Sequence, residues 1–244
     1  MAVCFVWIQM LPLPQHVTET DHSLRDGDGN ITLVVIDAGH GGQDSGTVRD
    51  GVLEKDLTLD VALRLEQVMR ASGVRTMLTR RTDEYLSLAE RAAAANKENA
   101  CVFVSIHFDD GARAAATGVN TYYAQHQRTT TPLLPSWLPF VQPVAAEPAN
   151  IESESLAGFV QQAIVAATRA VNRGTRSEQF YVIANVRHPA VLVEGGFLSN
   201  NDDIGKLRTE PYRQQLANAI AAGIMRYREL ARDRALQAND QPRA

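Results

Sequence analysis

Between residues 31 and 230, short apolar runs typical of strands alternate with stretches whose apolar residues recur at helical spacing. This pattern predicts strands and helices that alternate along the chain. Short runs rich in β-branched residues predict strands buried on both faces at Ile31–Ile36 and Ala100–Ile106. Shorter apolar or alternating runs predict four more strands, at Val74–Thr79, Val119–Tyr123, Gln179–Ile183 and Ala190–Val193.

Apolar residues at helical spacing occupy the stretches between these strands. A first helix is predicted to begin at Glu54 and to stop near Gly73, and a short alanine-rich helix is predicted from about Ser87 to Asn96. Two longer helices are predicted around Leu156–Val171 and Leu216–Tyr227. This alternation predicts a single α/β domain, with about six strands in a mostly parallel twisted sheet and helices on both faces.

Three segments lie outside this alternation. Residues 1–30 form a leader or linker whose apolar start lacks the basic residues of a signal peptide, so a signal-like segment and a loosely packed leader both stay open. Residues 126–150 are a proline-rich insertion, which is either an irregular surface segment or a groove wall or lid with Trp137 and Phe140 as contact residues. Residues 231–244 are a polar tail or a fraying helix, which leaves 31–230 as the folded domain.

The composition narrows the class of protein. Hydrophobic residues make up 45% of the chain, enough to bury a core, so wholesale disorder is excluded. Lys and Arg number 24 against 28 Asp and Glu, and no dense basic run is present, so we expect no nucleic-acid partner. The two cysteines cannot build a disulfide framework.

Four polar residues are expected at one edge of the sheet. His40 lies in the glycine-rich turn after the first strand, while His107 and Glu194 directly follow two further predicted strands. Glu54, at the start of the first helix, comes soon after the His40 turn. Because ligands bind at the carboxyl ends of strands in open α/β sheets, we expect these side chains to converge.

Two imidazoles and one carboxylate form a known catalytic zinc site, and a second carboxylate would then be free to move protons. The residues alone leave open which glutamate has which role. A phosphate-binding loop at Gly41–Thr47 is disfavoured because Thr47 stands where such a loop needs lysine. The chain also lacks the G-x-S-x-G and H-E-x-x-H motifs of serine hydrolases and helix-borne metalloproteases.

At these residues the sequence resembles the zinc-dependent N-acetylmuramoyl-L-alanine amidases of the amidase-3 type. The matching segments occur in the family's order and are Val34–Gly42, Glu54–Asp56, Leu78–Arg80, Arg91 with Asn96, Val104–His107 and Pro189–Asn200. The resemblance implies that His40, Glu54 and His107 bind one zinc ion per chain and that Glu194 is the catalytic carboxylate. It also implies hydrolysis of the amide between N-acetylmuramic acid and L-alanine in peptidoglycan.

Four further residues are candidates for supporting the metal ligands or contacting substrate: Asp37, Arg80, Arg91 and Asp109. We expect the two arginines to pair carboxylates or brace loops, and Asp37 to orient a ligand or cap its turn. Asp109 belongs to Phe108–Asp110, where the family commonly has Ala-Asn-Ala, so its carboxylate is expected to hydrogen-bond a ligand or alter substrate contacts.

The resemblance further implies a monomer in the periplasm or outside the cell, with peptidoglycan as its substrate. Whether an activator or a wall-targeting protein is a partner stays open. Two other functions stay open: a zinc peptidase or deacylase that uses the same site on a different acyl group, and a catalytically inactive wall-binding or regulatory module. The presence of all four site residues disfavours the inactive module.

Overall fold

The computed structural model describes residues 31–111, 113–127 and 150–239. Its strands are β1 (Leu33–Ala38), β2 (Val48–Arg49), β3 (Val52–Leu53), β4 (Arg75–Leu78), β5 (Cys101–Asp109), β6 (Val119–Tyr123), β7 (Asn172–Ser177) and β8 (Ala190–Phe197). Its helices are α1 (Glu54–Ala71), α2 (Leu88–Asn96), α3 (Ile151–Thr168), α4 (Tyr181–Ala184), α5 (Asn201–Leu207) and α6 (Glu210–Asn239). The leader, with residues 1–30, and most of the insertion, with Trp137 and Phe140, lie outside the described residues.

Six strands form one sheet in the order β4-β1-β5-β8-β6-β7. Strands β4, β1, β5 and β8 run parallel to one another, whereas β6 is antiparallel to β8 and parallel to the edge strand β7. The predicted six-stranded, mostly parallel α/β sheet is therefore confirmed. The remaining two strands, β2 and β3, form a small separate hairpin just before α1.

Side chains of alternate residues pack on opposite faces of the sheet, which gives two hydrophobic cores. On one face, Val34, Val104 and Val193 pack with apolar residues of α1, α3 and α6. On the other face, Val35 and Phe103 pack with residues of the shorter helices α2 and α4. Helices therefore cover both faces, as predicted. Among the described residues, no helix is both long enough and apolar enough to cross a membrane.

One predicted strand is wrong. Residues 179–183 were expected to form a strand because they are largely apolar, but Tyr181–Ala184 form the short helix α4, which buries Val182 and Ile183 against the second core. The sixth strand is instead Asn172–Ser177, a polar segment with mostly exposed side chains. Because β7 is an edge strand, its pairing with β6 needs no apolar alternation.

Two strands and one helix extend further along the chain than predicted. Strand β5 continues through His107 to Asp109, and β8 continues through Glu194 to Phe197, so both site residues lie within strands instead of directly after them. Polar side chains are tolerated there because they face the site and not a hydrophobic core. Residues 231–239, expected as a polar tail or fraying helix, continue α6, and Ala231 is fully buried.

Candidate active site

The turn between β1 and α1 carries His40 at the carboxyl edge of the sheet. His40 adopts a left-handed backbone conformation with a φ of 59°, which is uncommon for a residue other than glycine. Two glycines leave room for the site around it. A Cβ on Gly39 would lie 2.3 Å from Cε1 of His107, and a Cβ on Gly46 would lie 2.6 Å from Oε2 of Glu54. Any larger residue at either position would collide with the side chains that build the site.

His40, Glu54 and His107 form one compact cluster, whose potential ligand atoms all lie within 4.8 Å of one another. Nε2 of His40 lies 3.0 Å from Oε1 of Glu54, and Nδ1 of His107 lies 3.1 Å from the same oxygen. The two imidazole rings meet edge to face, with their centroids 4.8 Å apart. The turn, the helix start and the central strand thus bring together three side chains that are far apart in the sequence.

The carboxylate of Glu54 is fixed by the backbone as well as by the two histidines. The Thr47 amide donates to Oε2 at 2.9 Å, and the Phe108 amide donates to Oε1 at 3.1 Å. Burial opposes its ionisation, but hydrogen bonds with His107 and His40 outweigh that effect and hold the pKa of Glu54 far below its usual range. These contacts favour the ionised form of Glu54, which is the form of a carboxylate that can bind a metal.

Asp44 orients His40, although it is not among the site residues predicted from the sequence. Its Oδ2 lies 2.9 Å from Nδ1 of His40, while its Oδ1 accepts from the Gly46 amide at 3.0 Å. A carboxylate on one imidazole nitrogen fixes the ring and leaves the other nitrogen for a cation. The only sequence signal was an aspartate four residues after a histidine within a glycine-rich turn, a pattern that also fits ordinary turn geometry.

Glu194 stands beside this cluster in the neighbouring strand. It is directly paired with His107 across the parallel β5–β8 ladder, so the two side chains project from the same face of the sheet. The residue is partly exposed, but its Oε2 is buried and has no hydrogen-bond partner among the residues that the structure describes. Burial raises the pKa of Glu194 well above the usual range, and the charges of Glu54 and Asp109 raise it further.

Arg80 and Arg91 both donate hydrogen bonds to the backbone at the His40 turn. Arg91, nearly fully buried, pairs with Oδ1 of Asp37 at 2.8 Å and donates to the carbonyls of Ala38 and His40, both at 2.6 Å. Arg80 donates to the carbonyls of Ala38 at 2.9 Å and of Gly39 at 2.8 Å. Both arginines therefore brace the loop that presents His40, and neither guanidinium is aimed at a cluster ligand's side chain.

Asp37 completes this support. In addition to Arg91, it accepts hydrogen bonds from the hydroxyl groups of Thr79 at 2.6 Å and Ser105 at 2.7 Å, so it joins three strands, β1, the end of β4 and β5. The carboxylate is fully buried. These contacts anchor the strand end that carries the His40 turn, and none of them is to a side chain of the His40–Glu54–His107 cluster.

Asp109 is the last residue of β5, and the pairing of β5 with β8 shifts its register between His107 and Asp109. Burial raises its pKa more than the nearby guanidinium of Arg173 lowers it. The charge of Glu54 raises the pKa of Asp109, and the charge of Asp109 raises the pKa of Glu194, so Asp109 lies near the site. No hydrogen bond from its side chain to a histidine of the cluster is found in the described part of the chain.

The donor set fits a divalent cation such as zinc. Two imidazole nitrogens and one carboxylate oxygen within a few ångströms are the protein ligands of many catalytic zinc sites. The arrangement also has the supporting contact on His40 that such sites usually need. In the described residues this is the single group of three or more histidine, cysteine, aspartate or glutamate side chains positioned to hold a metal.

Comparison with known proteins assigns this fold and site to a family. A model of the family described as N-acetylmuramoyl-L-alanine amidase matches residues 34–226. The amidase LytC of Bacillus subtilis is 35% identical over 80% of this chain, which corresponds to 35% of the length of LytC. A crystal structure of an N-acetylmuramoyl-L-alanine amidase from Clostridium difficile 630 superposes with a TM-score of 0.68 at 33% identity, covering 81% of this chain and 97% of that one.

A second solved structure is that of the CwlD amidase from Clostridioides difficile in complex with the GerS lipoprotein. It has a TM-score of 0.69 at 26% identity and covers 82% of this chain and 99% of CwlD. The match of the family model extends from β1 to α6 and includes every residue of the cluster. This chain belongs to the N-acetylmuramoyl-L-alanine amidase family.

Proposed function

We propose that this enzyme uses one zinc ion per chain to hydrolyse the amide between N-acetylmuramic acid and L-alanine in peptidoglycan. The observation that supports this most directly is the His40–Glu54–His107 cluster with Glu194 paired beside it in the sheet. Family membership alone does not give the identity of the metal or the roles of the four residues, so both are part of this proposal.

His40, Glu54 and His107 would hold the zinc ion. Nε2 of His40 and Nδ1 of His107 already face the Glu54 carboxylate, so one cation can reach all three donors with small side-chain movements. When bound, zinc supplies Lewis acidity, which activates water and polarises the carbonyl oxygen of the scissile amide. Asp44 would accept a hydrogen bond from Nδ1 of His40, so that Nε2 is the nitrogen available to the cation.

Glu194 would move the proton. Its partly exposed position gives it access to bound substrate, and burial raises its pKa toward the neutral range in which a group that both takes and returns a proton works best. Glu194 takes one proton from the attacking water as the new bond to the lactyl carbonyl carbon forms. It then donates that proton to the nitrogen of L-alanine as the carbon–nitrogen bond breaks, which releases the stem peptide with a free amine.

The substrate places this activity at the cell envelope, in the periplasm or outside the cell. A protein partner is a further element of the proposal, since the related CwlD amidase has been solved in complex with the GerS lipoprotein. We propose that residues 31–230 form the catalytic domain. Such a partner, or a wall-targeting protein, would bring this domain to its peptidoglycan substrate.

Digestion of purified sacculi, followed by mass spectrometry of the products, tests the proposed function. We expect intact stem peptides that begin with a free L-alanine amine, activity that is lost with a chelator, and recovery of that activity when zinc is added. Glu194→Gln should abolish product formation while zinc content is unchanged. Cleavage within the stem peptide, or removal of an acetyl group, would instead assign the enzyme to the peptidases or deacylases.

A further inference from the structure

Asn120 is a buried polar side chain that the proposed reaction does not yet use. It lies in the middle strand of the β8-β6-β7 half of the sheet, and only 1% of its surface is exposed. Neither its Nδ2 nor its Oδ1 has a hydrogen-bond partner in the part of the chain that the structure describes. A buried amide without partners is costly, so its presence calls for a function or for a partner that a small movement would supply.

The sheet places Asn120 directly opposite Glu194. The two residues are paired in the antiparallel β6–β8 ladder, so their side chains project from the same face with their Cβ atoms about 5 Å apart. Oε2 of Glu194 is also buried and without a partner. Of the side-chain atoms in the described residues that are buried and unpaired, three of four thus belong to this one cross-strand pair.

The neighbouring contacts do not satisfy the amide. Thr121 faces the opposite side of the sheet, where its hydroxyl donates to Gln161 on α3 at 2.9 Å. Tyr122 lies on the same face as Asn120, close enough for the amide to lower the pKa of the phenol, which burial raises, but the two side chains do not form a hydrogen bond of standard geometry. Glu194, which is paired directly opposite, is therefore placed to accept a hydrogen bond from Asn120.

We propose that Nδ2 of Asn120 donates a hydrogen bond to Oε2 of Glu194 in the working enzyme and so positions the carboxylate that moves the proton. The amide is too deeply buried to touch substrate, so it acts through Glu194 as a positioning residue. With Oε2 held by Asn120, the other carboxylate oxygen is the one directed to water and the leaving nitrogen. This inference rests on the proposed role of Glu194.

Asn120→Leu tests the inference because leucine has nearly the same volume but no hydrogen-bond donor. We expect kcat to fall about ten- to a hundredfold, the range equivalent to losing one hydrogen bond to a charged group. KM and zinc content should stay within about twofold, because no substrate or metal contact is removed. The Tm should be unchanged or higher, because an unpaired buried amide is replaced by an apolar side chain.

Thr121→Val is the matched control on the next residue of the same strand. It removes a satisfied buried hydrogen bond on the other face, so it should lower the Tm and leave kcat unchanged. Asn120→Asp places a second carboxyl group opposite Glu194 and should reduce kcat at least as much as Asn120→Leu.

Two results would overturn the inference: an Asn120→Leu enzyme with wild-type kcat, or one whose lost activity is explained by a lower Tm and a smaller folded fraction. Either result, obtained while Glu194→Gln is inactive, would refute the role of Asn120 alone. Full turnover by Glu194→Gln would instead refute the proposed function of the site.

Discussion

The buried ion pair beneath the His40 turn provides a quantitative test of how the site is supported. Arg91 and Asp37 are 3% and 0% exposed, and Arg91 makes four hydrogen bonds to Asp37 and to backbone carbonyl groups. Arg91→Met keeps most of the side-chain volume but leaves the carboxylate buried without its counter-charge. Breaking a buried pair in this way costs about 3–5 kcal/mol of the free energy of unfolding. For a domain of this size the Tm should then fall by about 6–20 °C.

Urea denaturation followed by circular dichroism measures this loss, with Arg81→Met as the control. Arg81 pairs with the largely buried Glu66, but its own side chain is 55% exposed and Glu66 keeps a second partner, Arg70, 3.8 Å away, so the loss of Arg81 should cost about 1 kcal/mol, well below the cost of Arg91→Met. In the Asp37→Asn background, the cost of Arg91→Met should shrink by about 1–3 kcal/mol because no buried charge is left unpaired. Equal costs for Arg91→Met and Arg81→Met, or equal costs of Arg91→Met in both backgrounds, would refute this reasoning.

Three further predictions concern metal affinity and pH. Asp44→Ala should weaken zinc binding about ten- to a hundredfold in a competition titration with a chelator, since His40 loses its orienting carboxylate; unchanged affinity would remove Asp44 from the site's support. Gly46→Ala should weaken zinc binding because its Cβ would meet the ligand carboxylate, whereas Gly51→Ala, with a similar positive φ but open space around it, should lower stability only; equal zinc affinities would contradict this. Burial lowers the pKa of His188, so the unfolded chain takes up a proton as the pH falls below about 6.5 while the folded chain resists it, and stability is lost on acidification. The Tm of the wild type relative to His188→Gln should therefore fall between about pH 7.5 and 5.5; a difference that does not change with pH would show that His188 is not the group responsible.

The convergence of the site was predictable because it follows from topology. Parallel strands in α/β folds end at a common edge, so His107 and Glu194, at the ends of two apolar runs, had to approach each other there. The same rule placed the His40 turn beside them. The start of α1 at Glu54 was predictable as well, because the apolar spacing that begins at Leu57 fixes the helix phase.

Features set by tertiary contacts were not predictable from the sequence. Strand β7 is polar and pairs only at the sheet edge, so no periodicity marks it, while the apolar residues of α4 are buried by packing in a helix of four residues. The contact between Asp44 and His40 depends on the left-handed backbone at His40, which no sequence pattern specifies. The pairing of Asn120 with Glu194 depends on the antiparallel direction of β6, which departs from the parallel half of the sheet.

The central claim is that His40, Glu54 and His107 hold one zinc ion, next to which Glu194 works without being a ligand. Elemental analysis of the purified enzyme, after dialysis against zinc and removal of loosely bound metal, tests it most directly. We expect one zinc per chain in the wild type and in Glu194→Gln, and far less than one in Glu54→Ala. A Glu54→Ala enzyme that keeps a full equivalent of zinc, or a Glu194→Gln enzyme that loses it, would contradict the account.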